Sequence, residues 1–307
     1  LLVSVMALFS LGIVCAHGVG PYMGGLTIDG LHWRVIFLLP LPVVFFAFVM
    51  GLLFLPSQVK GTNAPFDWLG FALLSVSIFC MMTVIANGQR DGWLSDSNLL
   101  TLLIFLATGA AFILTQIYGN SRMMELSLFR YIPFAAAITI SLVYGLVNFS
   151  AIYLYPIFGQ LVQEYTPSAA GFLILPGALF AVLILPFMGK LADRVPPQFG
   201  IGIGLCLFGI SNIILSFSDI STMFWIVAFL IVLGRIGLAF MTPSMMSASL
   251  NTVPPDKIGE ASAIVNFMML FGGAIGINGL VVLLDRHTQF HGEALTATQT
   301  SANPATR

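Results

Sequence analysis

Charged residues are scarce in this chain of 307 residues, where they make up 7% of the sequence, against about 25% in soluble domains. So few charges cannot solvate the surface of a soluble protein of this size. The net charge of -1 gives no attraction for nucleic acid. The three cysteines lie far apart within apolar stretches, which predicts neither a disulfide framework nor a metal site. These absences exclude a soluble enzyme, a nucleic-acid-binding protein and a disordered chain.

Hydrophobic residues, in contrast, make up 58% of the chain, and the mean hydropathy is +1.01. They form continuous runs, each near the roughly 20 residues that cross a bilayer as a helix. A membrane β-barrel would show alternation instead. The sequence therefore predicts an all-α, polytopic transmembrane helix bundle of about nine spans, at 1–26, 33–55, 66–87, 97–118, 131–153, 169–190, 198–217, 221–246 and 259–284.

The polar segment 286–307 predicts a flexible extramembrane tail. Basic residues in the connections predict the orientation, because they accumulate on the cytoplasmic side of a membrane. They are more frequent in one set of alternate connections than in the other. The richer set, predicted to be cytoplasmic, holds Lys60, Arg122, Arg130, Lys190, Arg194 and Lys257, and the external set holds Arg34, Arg90 and Arg286.

Small residues recur every four positions in the first span, at Gly12, Ala16, Gly20 and Gly24, so they share one helix face. Such a face lets a neighbouring helix approach closely in lipid. Pro21 removes a backbone donor and favours a bend near the outer end of the span. Taken alone, these residues favour ordinary helix packing.

The longer string GVGPYMGG at 18–25, followed by HWRVIF at 32–37, is more specific. It resembles the antiporter motif on the fifth helix of drug–proton antiporters in the major facilitator superfamily. The segment Trp-Arg-x-Ile-Phe resembles the fourteen-helix multidrug branch of that superfamily. The motif residues are, by this resemblance, Gly18, Gly20, Pro21, Gly24 and Gly25.

A second match lies in a predicted cytoplasmic connection, GKLADR at 189–194. It resembles the loop signature that the superfamily repeats between the second and third helices of each half. Gly189 can end one helix, and Asp193 can sit at the N-terminus of the next. The resemblance implies that Gly189, Asp193 and Arg194 form a charged latch, which holds helices together in one transport state. An ordinary positive-inside loop is the alternative interpretation.

The resemblance covers residues 1–290, with further matches at 165–171 and 253–262. It implies that the spans are helices five to thirteen of fourteen. It divides the chain into the end of an N-terminal bundle (1–55), two central linking helices (56–120), a C-terminal bundle (121–285) and the polar segment (286–307). Because no acidic residue lies deep in a predicted span, we expect that the chain cannot carry out proton-coupled transport alone.

Arg235 is the one charged residue deep in a predicted span. Exposing it to lipid would cost about 2.5–3.5 kcal/mol, which predicts a polar cavity or partner. It either lines the translocation pathway or has a structural role. Pro243, on the same span, predicts a bend. Tyr144 and Asn148 lie four residues apart and predict either a cavity lining or hydrogen bonds between helices.

His287 and His291 also lie four residues apart, a spacing that a metal site can use. They follow the end of a predicted span, however, which favours a solvated loop. The sequence shows no Ser-His-Asp arrangement, paired carboxylates or phosphate-binding loop. It therefore predicts no catalytic residue, no metal and no cofactor.

The resemblance implies a bacterial inner-membrane transporter that exports drugs or other hydrophobic, often cationic compounds by alternating access, driven by protons. Its predicted partners are these small substrates, protons and the lipid bilayer, with no nucleic acid. The resemblance also allows a periplasmic adaptor protein. Two alternatives stay open: a carrier for a lipid-like or organic-anion metabolite, which Arg235 favours, and an integral-membrane lipid enzyme, which would depend on Asp285, His287 and His291.

Overall fold

The computed structural model describes residues 2–54, 66–119, 123–192 and 194–302. Helix is the only regular secondary structure in these ranges, which confirms the all-α class. Three short 3-10 helices cover Trp33–Phe37, Leu126–Arg130 and Pro255–Lys257. The α-helices are α1 (Leu2–Gly30), α2 (Pro40–Phe54), α3 (Trp68–Arg90), α4 (Asp96–Tyr118), α5 (Ile132–Leu161), α6 (Pro167–Phe172), α7 (Leu175–Ala192), α8 (Pro197–Leu215), α9 (Phe224–Leu250) and α10 (Ile258–Ala302).

Eight helical segments within the described ranges are long and apolar enough to cross a membrane. They correspond to the second through ninth predicted spans, and helix α1 covers the first. The chain is therefore a multi-pass membrane protein, as its composition predicted. A long continuous apolar run forms a helix in lipid, because a helix pairs the backbone N–H and C=O groups within the same segment.

Two of the predicted spans differ from the structure near a proline. The span predicted at 169–190 is two helices, α6 and α7, since Pro176 has no N–H to donate to the carbonyl of Phe172. Helix α5, in contrast, continues past the predicted end at residue 153 and accommodates Pro156 within it. A proline in an apolar run thus breaks the helix in one place and not in the other.

The tail differs more clearly from the prediction. Helix α10 does not end at residue 284 but continues to Ala302, so the segment predicted to be flexible is helical over most of its length. No proline interrupts the sequence between Ile258 and Ala302, and Ala, Leu, Gln and Glu in its last part favour helix. The position of this tail outside the membrane stays a prediction.

The described residues form two compact units. The first unit combines residues of Leu1–Asn63 and Ala151–Pro254, and the second combines residues of Ala64–Ser150 and Pro255–Arg307. Helix α5 contributes to both units, because the boundary falls between Ser150 and Ala151. The units do not follow the predicted order of bundles and linking helices along the chain, and that assignment stays a prediction from the resemblance.

A buried hydrophobic cluster holds the first unit together. Tyr155 of α5, Ile174 before α7 and Ile231 of α9 are each at most 2% exposed within it. In the second unit, α5 and α10 approach closely through glycines. A Cβ added to Gly276 of α10 would lie 2.5 Å from the carbonyl oxygen of Leu146. Small residues allow this approach in lipid, where close packing replaces the hydrophobic driving force.

A buried polar network joins α3, α4 and the chain that follows α4. Gln116 is 1% exposed, and its side-chain nitrogen donates to Oδ2 of Asp67 at 2.7 Å. Its oxygen accepts from the backbone N–H groups of Met123 at 2.8 Å and Met124 at 3.0 Å. Oδ1 of Asp67 accepts from the N–H of Gly70 at 2.8 Å and thereby caps α3. One amide therefore fixes three segments of the second unit.

We expect Gln116→Leu to lower the free energy of unfolding by roughly 2–3 kcal/mol, because it leaves a buried carboxylate oxygen and two backbone N–H groups unpaired. Thermal unfolding of the purified chain in detergent, followed by circular dichroism, measures the change. Gln160→Leu is the matched control, since Gln160 is exposed at the end of α5. Equal stability of the two variants would contradict the assigned role of Gln116.

Candidate functional site

Helix α1, which carries the antiporter-like motif, packs against α6 and α7 through glycine. A Cβ added to Gly25 would overlap the backbone of Pro167 and would lie 2.7 Å from the Cα of Ser168. In the opposite direction, a Cβ on Gly171 would lie 2.5 Å from the carbonyl oxygen of Pro21. One turn away from this contact, Gly18 faces Ala178 of α7 just as closely. At Gly25 and Gly171 the backbones of α1 and α6 therefore touch with no side chain between them, and at Gly18 helix α1 meets the methyl group of Ala178.

Among the described residues, the helices that pack against α1 lie on a different face from the predicted one. No described atom lies within 4 Å of a Cβ built on Gly12, Gly20 or Gly24. The contact face instead holds Gly18 and Gly25, seven residues apart, and thus two helical turns along the same side of α1. The four-residue repeat does form a stripe of small residues along α1, but the neighbouring helices described here pack against a different side of α1.

The C-terminal end of α1 is tied to α6 by a hydrogen bond between two distant parts of the sequence. The N–H of Ser168 donates to Oδ2 of Asp29 at 2.9 Å. Thr166, the N-cap of α6, accepts from the N–H of Ala169 at 3.4 Å. The rings of Tyr22 and Phe172 lie 5.6 Å apart beside the glycine contacts. A carboxylate at a helix N-terminus is favourable there because of the exposed N–H groups and the helix dipole.

Arg235 lies in the middle of α9 and is 8% exposed, so the expectation that it faces protein and not lipid is confirmed. Gly177 of α7 makes room for its stem, since a Cβ on Gly177 would lie 2.9 Å from the Cγ of Arg235. One turn before Arg235, Ile231 packs in the same buried cluster as Tyr155, a residue of α5 that carries a hydroxyl group. That hydroxyl group donates to Oδ1 of Asn212 of α8 at 3.2 Å. Gly177 of α7 thus makes room for a buried positive charge, and a polar pair, Tyr155 and Asn212, joins α5 and α8 in the same unit.

Tyr144 and Asn148 are both buried on α5, at 8% and 5% exposure. Their shared burial agrees with their shared helix face. They belong to the second unit, whereas Arg235 belongs to the first. Pro243 lies within α9, which continues to Leu250 without ending there. The roles of these four residues in a pathway stay predictions.

The latch residues lie at the end of α7 and just after it. Gly189 is buried in the last part of α7, Asp193 lies outside the described residues, and Arg194 is exposed. Arg194 lines an open cleft of about 470 Å³ with Ser247, Asn251 and other residues. Asn251 is the C-cap of α9. A positive charge beside a helix C-terminus is favourable because the carbonyl groups there carry partial negative charge.

The connection between α8 and α9 is organised around Asp219. Its carboxylate accepts hydrogen bonds from the hydroxyl group of Ser221 at 2.7 Å and from that of Thr222 at 3.1 Å. These bonds hold the pKa of Asp219 below its ordinary value. Their contribution to stability is therefore present at neutral pH and is lost as the pH falls through the lowered pKa. Gln163 donates to the carbonyl oxygens of Asp219 and Thr222 and so fixes the start of α9.

His287 and His291 lie on helix α10 and not in a loop, with ring centroids 6.4 Å apart. Within the described ranges, no group of three or more His, Cys, Asp or Glu side chains is arranged to hold a metal ion.

The contacts of Gly171, Ser168 and Gly177 were not predicted. Asp29 offered a possible signal, as a carboxylate directly after a membrane span.

The sequence profile described as Major Facilitator Superfamily matches residues 2–277. The chain is 29% identical to the multidrug resistance protein Stp of Mycobacterium tuberculosis, over 84% of this chain and 48% of that protein.

Two further relatives carry names of the same kind. The chain is 25% identical to the lincomycin resistance protein LmrB of Listeria innocua, over 89% of this chain and 58% of that protein. It is 24% identical to the multidrug export protein EmrB of Escherichia coli, over 97% of this chain and 59% of that protein. The chain therefore spans about half the length of the curated relatives that it matches.

Proposed function

Because the chain belongs to the Major Facilitator Superfamily, we propose that it acts in a transporter that exports small hydrophobic or cationic compounds from a bacterium in exchange for protons. Family membership itself points to transport and not to catalysis. The drug-resistance and multidrug-export names of the relatives support the proposed substrate class. The proposed location is the cytoplasmic membrane, and a periplasmic adaptor protein is a further proposed partner.

The observation that carries the proposal is the glycine contact of α1 with α6 and α7. Alternating access requires helices that approach and separate during each cycle. At Gly25 and Gly171 the backbones of α1 and α6 meet directly, so the helices can part at these positions without disengaging interlocked side chains. The hydrogen bond between Asp29 and Ser168 closes the same contact at its outer end. We propose that this contact closes the outer side of the pathway in one transport state.

Arg235 supports a second candidate function, a carrier for a lipid-like or organic-anion metabolite. Its buried positive charge has the chemistry to neutralise an anionic substrate. The two candidates differ in the charge of the exported compound. Export of both an organic cation and an organic anion by the same cells therefore has to be measured.

The experiment expresses the gene that encodes this sequence, with its natural flanking coding sequence, in a bacterial strain that lacks its own drug-efflux pumps. We expect the cells to accumulate less ethidium than cells with an empty vector, and a protonophore to abolish the difference. Membrane expression is checked by immunoblotting. Equal ethidium accumulation despite expression, with faster efflux of a fluorescent organic anion, would favour the second candidate over the first.

A further inference from the structure

A cleft in the second unit lies between the end of α3 and the late part of α10. It has a volume of about 530 Å³ and is lined by Gln89, Leu283, Arg286, His287, Gln289 and Phe290. The two helices are held together nearby, since the side-chain nitrogen of Asn278 donates to the carbonyl oxygen of Met82 at 2.9 Å. The cleft is therefore formed by helices that are already packed, and it is separate from Arg235 and from the glycine contacts of α1.

The lining of the cleft has a basic, polar part and an apolar part. Arg286 presents a planar guanidinium group that binds phosphate in a bidentate manner, and the amides of Gln89 and Gln289 add further donors. Leu283 and Phe290 are 56% and 66% exposed, and they add an apolar wall. Among the described residues, those that line the cleft include no carboxylate. An anionic group attached to an acyl chain matches both parts.

The position of the cleft along the helices agrees with this chemistry. The sequence places the ends of the two spans at residues 87 and 284, so that Gln89 and Arg286 lie just beyond the membrane edge on the same predicted side. Trp93 follows in the turn after α3. Its ring packs against Gly88, since a Cβ added to Gly88 would lie 2.6 Å from the ring. Tryptophan is enriched at the level of the lipid headgroups. The cleft therefore lies at the depth where the phosphate of a lipid would be found.

We propose that this cleft is a binding site for an anionic phospholipid, with the headgroup phosphate on Arg286, His287 and the two glutamine amides, and an acyl chain along Leu283 and Phe290. The phosphate chemistry alone would also fit inorganic phosphate. The apolar wall favours the lipid, because a free phosphate ion would gain nothing from Leu283 and Phe290. The site is independent of the proposed transport function.

The experiment uses Trp93 as a reporter, since its ring lies beside Gly88, the residue before Gln89. Trp33, Trp68 and Trp225 are replaced by Phe, and the purified chain is reconstituted in vesicles of phosphatidylcholine and phosphatidylglycerol, one of which carries brominated acyl chains. Bromine quenches tryptophan fluorescence on contact. Quenching is measured with bromine on one lipid and then on the other, and the comparison gives the relative binding constants of the two lipids. We expect about a fivefold preference for phosphatidylglycerol, as one basic group at a membrane surface provides.

Arg286→Gln is expected to abolish the preference, and Arg34→Gln, which removes a charge from the same predicted side of the membrane in the first unit, is expected to retain it. Both side chains are exposed, so neither change threatens the fold. Equal binding of the two lipids by the parent chain, or an unchanged preference in Arg286→Gln, would overturn the proposal. Loss of the preference in millimolar inorganic phosphate, at constant ionic strength, would also overturn it and would assign the cleft to a soluble phosphate.

Discussion

Gly25→Ala is expected to lower the free energy of unfolding by roughly 1–3 kcal/mol, as the overpacking of a close contact does. The added Cβ would overlap the backbone of Pro167 and lie 2.7 Å from the Cα of Ser168. Backbone atoms cannot rotate away as a flexible side chain can. The variant therefore has to move α1 away from α6. If the contact closes the pathway, drug export is lost together with stability.

The matched control is Gly24→Ala, one residue away on the same helix. No described atom lies within 4 Å of a Cβ at this position, and alanine is favoured over glycine inside a helix by roughly 0.5–1 kcal/mol. Gly24→Ala should thus leave stability unchanged or slightly increase it. Thermal unfolding in detergent and ethidium export in cells measure the two effects. Equal behaviour of the two variants would contradict the assigned packing face of α1.

Arg235→Gln is expected to reduce export by about tenfold to a hundredfold, since a hydrogen bond to a charged group contributes roughly 1.5–3 kcal/mol. The side chain is buried, and Gly177 leaves space for its stem. Glutamine keeps a polar group in this space but removes the charge. The measurement is the initial rate of ethidium efflux, corrected for the amount of protein in the membrane.

Two further variants separate a role in transport from a role in folding. Arg235→Lys retains the charge without the planar fork and is expected to keep part of the activity. Tyr155→Phe removes only the hydroxyl group that donates to Asn212 and should have a smaller effect. Arg235→Gln protein that unfolds at the parent temperature but exports at the parent rate would exclude Arg235 from the pathway. Loss of anion export alone, with ethidium efflux unchanged, would support the anion carrier.

The spans were predictable because apolar length is a property of the sequence alone. Each run of about 20 hydrophobic residues must form a helix in lipid, whatever packs against it. Helix ends were less predictable, since α7 begins one residue before Pro176 while Pro156 lies deep inside α5. The outcome at a proline depends on whether neighbouring groups satisfy the freed carbonyl oxygen, and the local sequence does not contain those groups.

The site was predictable in residue type but not in its contacts. The spacing of Gly20 and Gly24 defines a helix face, yet the rotation of α1 about its axis is set by α6 and α7, more than 130 residues later in the chain. The pairing of Asp29 with Ser168 and that of Asp67 with Gln116 depend on the same long-range arrangement. The burial of Arg235 was predictable because the cost of exposing its charge to lipid excludes the alternative.

The most direct test of drug–proton exchange uses inverted membrane vesicles from cells that express the gene with its flanking coding sequence. Respiration acidifies the vesicle interior, and a pH-sensitive dye reports the gradient. The account predicts that adding ethidium releases protons from the vesicles, that Gly25→Ala abolishes the release, and that Gly24→Ala retains it. A gradient that ethidium leaves unchanged in vesicles shown to contain the parent protein would contradict the account.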